Sequence, residues 1–385
     1  MIAENIFQGK GFVGGLSRPD EATSWQAPGY PYLLAGLWFF FGQGTAAYLF
    51  LGVLQAMALA SMVWPIHFLT CRWFGERPAI WAAWAVAVWP LYIWYATRFH
   101  HSALVFSAQP WLLAGWVSLA DHPRWTKGLW LGLATGVAGL FQPVLLAPFG
   151  LLGLYFLLGQ MRIKSIRGVA GLLAAALGTI LALFPWTLRN YQVHGHWVPI
   201  KTSLGKELWM GNHPQATGTG YAPGGKEEVT NAHPPRAFAY RGKVSEWELN
   251  ELLKQEAWEY MRQDPGALVQ RTCQKWVWFW TWTPSEFLRS YGGGEARKFG
   301  GVAKAFWIFL LAGAAWGAWQ SRGIPHKYVL ILVVFAATYS LLYGLTHVGQ
   351  ARFRGEIEYL LFPAFGMGLG ALGAWVRGLR TPPAR

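Results

Sequence analysis

Apolar blocks about as long as a bilayer is thick follow one another along most of this chain, and nothing else limits its fold so tightly. A helix needs roughly 20 apolar residues to cross the hydrocarbon layer. Blocks of about that length run over 46–70, 79–96, 102–120, 168–188, 302–319, 327–345 and 358–376. The stretch 128–159 is also apolar but is broken by Gln142-Pro143, and both of its outer flanks are basic, so it reads as a helical hairpin. The expectation is an all-α, polytopic helical membrane protein of about nine spans. Only 13% of the 385 residues are charged and 54% are hydrophobic, against roughly 25% charged in an ordinary soluble domain. A soluble enzyme, a disordered chain and a disulfide scaffold are excluded.

The net charge of +14 would point to nucleic acid in a soluble protein. Here it marks topology, and no nucleic-acid partner is expected. Arg72, Arg77, Arg124, Lys127, Arg162, Lys164, Arg167, Arg322, Lys327, Arg377, Arg380 and Arg385 fall in the short segments of one side. The positive-inside rule makes that side cytoplasmic. The long segment 189–301 and residues 1–30 are then extracytoplasmic. With residues 1–30 outside, one further helix is expected upstream of Met1. Three regions follow: a membrane module over 1–188 with an extracytoplasmic lead-in over 1–45, an extracytoplasmic segment 189–301 with amphipathic helices, and a three-span region 302–385. Cys71 and Cys273 are far apart and in no metal-ligand spacing.

Local signals fill in the polar parts. Gly9 ends a short helix over Ala3 to Phe7. Turn chemistry at Pro28-Gly29-Tyr30-Pro31 leads into an apolar surface helix, Tyr32 to Phe41. Pro185 should kink the end of its span. Residues 205–225 are rich in glycine and read as an irregular loop, not a phosphate-cradling one, since no Gly-Lys-Ser/Thr follows. Ser245-Glu246-Trp247-Glu248 is a capping box, and Asp264-Pro265 restarts a helix. Trp276, Trp278, Trp280 and Trp282 suit the headgroup layer; a sugar-stacking face is the alternative.

Four polar clusters lie on the extracytoplasmic side: Glu4, Asp20 and Glu21; Arg98, His100 and His101; Arg189, Lys201 and Lys206; and Arg352, Arg354, Glu356 and Glu358. A basic pocket there suits a lipid phosphate, which Arg grips through paired hydrogen bonds and Lys through its charge. A carboxylate nearby can take a proton from an incoming hydroxyl. The plainer readings are ion pairs of Arg352 and Arg354 with Glu356 and Glu358, and solvated charges at Glu4, Asp20 and Glu21. Adjacent histidines do not share a helix face, so a hydrogen-bonded pair is the plainer account of His100-His101 than a metal site.

Three stretches resemble polytopic glycosyltransferases that use lipid-linked sugars, the GT-C superfamily, in its branch of protein mannosyltransferases and lipid A aminoarabinose transferases. They are Ala3-Glu4-Asn5 leading to Gly9-Lys10-Gly11-Phe12; Pro28-Gly29-Tyr30-Pro31; and Pro185-Trp186-Thr187-Leu188-Arg189-Asn190-Tyr191, continued by Val198-Pro199-Ile200 and Leu208-Trp209-Met210-Gly211-Asn212. Arg352-Phe353-Arg354 and Glu358 before the last apolar block are also similar. The resemblance implies a polyprenyl-phosphate sugar donor entering from the bilayer, membrane lipids as partners, and inverting transfer to a lipid, glycan or protein acceptor. It implies a multi-pass protein of the bacterial plasma membrane, active on the extracytoplasmic face. Arg189, Lys206, Arg352 and Arg354 become the donor-phosphate set. Tyr30, His100, His101, Asn190, Asn212 and Glu356 line the substrate pocket.

The family's catalytic Asp would precede the Ala3-Glu4-Asn5 segment and so lie before Met1, which leaves Glu4, Asp20 and Glu21 as the acidic candidates within the chain. Relatives often carry an acidic residue in place of His100-His101 and Arg-Pro in place of Gln142-Pro143. No cofactor is demanded, and a divalent metal stays open. The alternatives are a lipid or oligosaccharide transporter or flippase, or a truncated homologue without catalysis. A transporter would need charges within several spans, where this sequence has almost none.

Overall fold

The computed structural model describes residues 1–222, 227–281, 293–320 and 323–380. Trp282, Arg322, Arg385 and residues 223–225 lie outside the described residues, and only the backbone of Arg377 and Arg380 is described. In chain order the helices are α1 (Ile2–Phe7), α2 (Gly29–Phe41), α3 (Thr45–Ala60), α4 (Val63–Phe74), α5 (Glu76–Ala87) and α6 (Pro90–Ala96). Then come α7 (Ser102–Asp121), α8 (Trp125–Phe141), α9 (Leu146–Arg162), α10 (Ile166–His194), α11 (Leu204–Asn212) and α12 (Val229–Ala232). Last are α13 (Glu246–Gln263), α14 (Pro265–Trp280), α15 (Gly293–Gln320), α16 (His326–Thr346), α17 (Ala351–Arg354) and α18 (Phe362–Arg380). Among the described residues β pairing is confined to two isolated bridges, Val13 with Ala22 and Tyr221 with Glu228.

Every apolar block read from the sequence is helical. Among the described residues six stretches are long and apolar enough to cross a membrane: Thr45–Phe74, Ser102–Asp121, Pro143–Arg162, Ile166–His194, Phe299–Gln320 and His326–Thr346. The pair α5 and α6, bent by 44° at its break, makes a seventh if counted as one span. Trp64, Ile166, Ile180 and Trp319 are exposed on these helices, as side chains facing hydrocarbon must be when the helix satisfies its own backbone.

The chain forms two compact units. The first comprises Met1–Leu51, Leu119–Lys298 and Thr338–Arg354; the second Gly52–Ser118, Phe299–Ala337 and Gly355–Arg385. In the first, α8 packs along α10 through glycines one turn apart. A Cβ on Gly128 would lie 1.9 Å from the Gly171 carbonyl oxygen, one on Gly132 1.9 Å from that of Ala175, and one on Gly178 2.3 Å from that of Leu129. Without side chains in the way the backbones touch, and dispersion supplies the attraction that apolar lipid cannot. Thr179 Oγ1 adds a hydrogen bond to the Gly132 carbonyl at 3.1 Å.

The second unit repeats the device. A Cβ on Gly317 would meet the Ala364 carbonyl oxygen at 2.0 Å, one on Gly368 that of Gly313 at 2.1 Å, and one on Gly366 that of Pro78 at 2.2 Å. Inside it the buried Glu358 accepts from Trp89 Nε1 at 2.6 Å, and Tyr328 donates to the Leu360 carbonyl at 2.8 Å.

One expectation changes. The loop predicted over 205–225 opens instead with a helix, α11. Its glycines mark close approach: a Cβ on Gly205 would stand 2.1 Å from the Asn250 carbonyl oxygen, and one on Gly211 2.2 Å from that of His347. Pro185 lies inside α10. α10 runs unbroken for 29 residues and stops at Gly195, whose φ of 68° closes it in the left-handed conformation.

Gly132→Ala should force α8 and α10 apart and lower the melting temperature and yield of folded protein, by about 1–3 kcal/mol of overpacking. Gly150→Ala, at a helical glycine with nothing within 4 Å, should not. Thermal melts of the two variants compare them directly.

Candidate functional site

The first unit carries a polar roof assembled from the lead-in segment, the end of α10, the segment from 196 to 222, α13, α14 and residues 338–354. Its first knot is Glu246, the opening residue of α13, 6% exposed. Ser245 accepts from the Glu248 backbone N–H, completing the predicted capping box and fixing where the helix starts. Glu246 then points back. It accepts from the Thr23 hydroxyl, from the Ser24 backbone N–H at 2.8 Å and from the Thr202 hydroxyl at 2.5 Å. The Thr202 N–H also reaches the Ser24 carbonyl, at 2.9 Å.

Arg189 makes the matching knot at the end of α10. Nη1 donates to the Thr23 carbonyl at 2.5 Å and to Ser24 Oγ at 3.1 Å, and Nη2 donates to the Phe12 carbonyl at 3.1 Å. The guanidinium lies 4.7 Å from the Trp186 ring. Asn190 Nδ2 donates to the carbonyls of Val198 and Ile200 at 3.0 and 3.2 Å, and Trp186 Nε1 donates to Ile200 at 2.7 Å. The motif around Pro185 and the motif around Pro199 thus fasten to each other. Both fasten the lead-in segment to a membrane helix.

The third group sits on α11. Glu207 lies 2.5 Å from His347 Nδ1 and 3.6 Å from Lys201 Nζ. Burial pushes the Glu207 carboxyl up, but His347 and then Lys201 outweigh it and hold the group well below the usual carboxylate range. Lys206 Nζ stands 5.8 Å from the Trp25 ring. Asn212 Oδ1 accepts from Lys275 Nζ at 3.1 Å, while its Nδ2 donates to the Leu345 carbonyl at 3.0 Å. Lys275 is fully buried; burial, then the charge of Arg271, pushes its amine down to about 7. His213 stacks on Trp209 at 4.3 Å, and burial pushes its imidazole down to about 4.

The Arg352-Phe353-Arg354 motif supports this group. Arg354 is 1% exposed and donates to the carbonyls of Phe279 and Thr281 at 3.1 and 2.5 Å, capping the end of α14. Phe353 stacks on Tyr343 at 4.0 Å and lies 5.0 Å from the His347 ring. The Arg352 guanidinium lies 4.6 Å from the Phe353 ring.

Of the residues named from sequence, Tyr30, Arg189, Asn190, Lys206, Asn212, Arg352 and Arg354 fall in the first unit, and His100, His101 and Glu356 in the second. The His100 and His101 rings lie with centroids 4.1 Å apart, tilted by 32°, and His100 Nδ1 accepts from the Ser102 N–H at 3.1 Å. Glu356 is buried. Glu4, Asp20 and Glu21 are exposed; Glu21 pairs with Arg18 at 2.5 Å, and Glu4 accepts from Gln8 at 3.4 Å. Sequence reasoning missed Glu207, Glu246, Lys275 and His347. The signal for His347 was slight: a His five residues before Arg352 at the end of an apolar block. Among the described residues no group of three or more His, Cys, Asp or Glu side chains is placed to hold a metal ion.

Comparison with solved structures gives the architecture its place. The chain superimposes on the oligosaccharyltransferase of Archaeoglobus fulgidus in its apo form with a TM-score of 0.54 and 14% identity, over 98% of this chain and 46% of that one. The same enzyme in complex with an inhibitory peptide and a dolichol-phosphate gives 0.53 and 14%, over 100% of this chain and 47% of that one. The fold is of GT-C type. This chain spans just under half the length of those oligosaccharyltransferase chains. ArnT from Cupriavidus metallidurans bound to undecaprenyl phosphate aligns with a TM-score of 0.38 and 16% identity, over 98% of this chain and 73% of that one. No family model matches the sequence, and no curated protein matches it.

Within this roof Lys275 gives a test by pH. The unfolded chain binds the lysine proton up to its ordinary value of 10.5, the folded chain only up to about 7. The cost of burying the charged amine is therefore full below about pH 7 and falls as pH rises from there. Lys275→Met removes the group. Melting temperatures measured from about pH 7 to about pH 9.5 should show the wild type gaining on the variant as pH rises.

Proposed function

We propose that the protein is a membrane glycosyltransferase that moves a sugar from a polyprenyl-phosphate donor to a lipid, glycan or protein acceptor. The observation that carries this reading is the GT-C architecture running through 98% of the chain, with the resemblance motifs gathered into one hydrogen-bonded roof. The charge bias of the short segments supports an extracytoplasmic active face, in a bacterial plasma membrane.

The chemistry asks the protein for little covalent work. A hydroxyl attacks the sugar's anomeric carbon, the bond to the phosphate oxygen breaks, and the electron pair leaves with the phosphate. Fixed positive charge at that oxygen lowers the barrier because it needs no reorganisation during the reaction. Lys206 and Arg352 are the proposed donor-phosphate contacts among the residues read from sequence. Arg189 and Arg354 give donors to main-chain carbonyls, so we assign them to holding the roof rather than to the phosphate. Glu4, Asp20 and Glu21, all exposed on the lead-in segment, are the proposed set from which the acceptor's proton is taken. Tyr30, Asn190 and Asn212 shape the pocket.

Full-length protein in nanodiscs, given a panel of polyprenyl-phosphate sugars, should release polyprenyl phosphate and transfer the sugar. Arg189→Ala should lower that rate more than tenfold, since the three hydrogen bonds it gives to Thr23, Ser24 and Phe12 hold the lead-in segment, each worth about 1.5–3 kcal/mol with a charged donor. Flux across proteoliposomes without any sugar transfer would contradict the reading.

A further inference from the structure

A crevice of about 660 Å³ runs along one face of α4, lined by Val63, Trp64, His67, Phe68, Cys71 and Arg72. Two rows spaced four residues apart make up this set, so all six share one side of the helix. That side changes character along its length. Trp64 and Phe68 are exposed rings, and Arg72 stands in the last turn. The helix belongs to a stretch long and apolar enough to cross a membrane. Its exposed rings therefore meet hydrocarbon, and its basic end meets headgroups.

Gly75 adds what a plain arginine anchor lacks. It ends α4 with a φ of 86°, a left-handed conformation that glycine adopts without strain. The chain doubles back there, and Glu76, the first residue of α5, meets the face that lines the crevice. Cys71 Sγ donates to one Glu76 oxygen at 3.2 Å, and His67 Nε2 lies 3.2 Å from the other. Both contacts hold the carboxylate beside the crevice. The Glu76 side chain is still 63% exposed, and each of its oxygens has a second lone pair. A fixed acid and a guanidinium thus stand together at the polar end of an apolar groove.

We propose that this crevice binds a membrane phospholipid with an ethanolamine headgroup, its acyl chain along Trp64 and Phe68, its phosphate on Arg72 and its ammonium on Glu76. Charge complementarity selects that occupant. Arginine takes a phosphate through paired, charge-assisted hydrogen bonds. A primary ammonium carries three N–H donors, which the Glu76 oxygens accept. A glycerol headgroup has no cation for Glu76, and a choline headgroup has a cation without N–H groups. The volume falls in the range of roughly 300–1,000 Å³ that holds a small-molecule ligand. The lipid is a resident of the bilayer and not a sugar carrier, so the proposal does not depend on the transfer reaction.

Arg72 as a plain snorkelling anchor, with Glu76 only closing the turn, predicts no choice among headgroups. Full-length protein freed of lipid in detergent is titrated with phosphatidylethanolamine, phosphatidylcholine and phosphatidylglycerol of identical chains, and bound lipid is counted by native mass spectrometry. The ethanolamine lipid should bind about tenfold more tightly than the other two. Arg72→Gln and Glu76→Gln should each weaken it about tenfold, the loss of one charge-assisted contact, and Glu76→Gln should also erase the preference over phosphatidylglycerol. Arg162→Gln, at the same last-turn position of α9, should change nothing. Arg72 and Glu76 are exposed, so both variants should melt as the wild type does in lipid-free detergent. An ethanolamine lipid with a photoreactive acyl chain should label residues 63–72. Equal binding of the three lipids, an equal loss in Arg162→Gln, or labelling confined to other helices would overturn the proposal. Tighter binding of phosphatidylglycerol that Glu76→Gln leaves unchanged would overturn it in favour of an anionic lipid.

Discussion

A single buried carboxylate ties together three stretches of chain that are distant in sequence. Glu246 takes hydrogen bonds from Thr23, Ser24 and Thr202. A carboxylate out of water is costly unless every lone pair finds a donor. That cost is offset here by three donors from two separate segments. Arg189 answers from the membrane side with bonds to Thr23, Ser24 and Phe12. Between them the two groups fix a lead-in segment of little regular structure. Whatever that segment contributes to a reaction depends on this clamp.

Along the apolar helices the constraint is different. In the membrane no hydrophobic force draws helices together, so contact must come from fit. The glycine seams of the two units, Gly128, Gly132 and Gly136 on α8 and Gly313 and Gly317 on α15, bring backbone against backbone. Glycine on α11 and in the 347–349 stretch does the same service within the roof, where Gly349 has the Lys275 carbonyl oxygen 1.9 Å from its notional Cβ. Rigid seams and hydrogen-bonded knots are what a transfer site needs if its charges are to be fixed before the substrate arrives.

Much of the fold was legible because its signals are local. Apolar blocks of membrane length, the Ser245 capping box and the Asp264-Pro265 restart each state their structure within a few residues. The site was less legible because its parts are far apart in sequence. Arg189 and Arg354 read as phosphate ligands since an arginine beside a membrane invites that use; only the fold shows their donors aimed at carbonyls. Gly205 and Gly211 read as loop residues since a sequence shows a glycine but not the backbone pressed against it. Glu207 and His347 stand 140 positions apart in number, and neither has a neighbour that marks it. A carboxylate and an imidazole become a pair only once α11 has packed against the end of α16.

The central claim is that the Glu246 knot holds the lead-in segment in place, and hydrogen–deuterium exchange tests it most directly. Glu246→Gln keeps the shape of the side chain and removes its charge and one acceptor. The account predicts faster exchange in residues 12–24 and 198–204 of the variant, with α8 and α10 protected as in the wild type. Unchanged exchange in residues 12–24, or a loss of protection spread evenly over the whole chain, would contradict it.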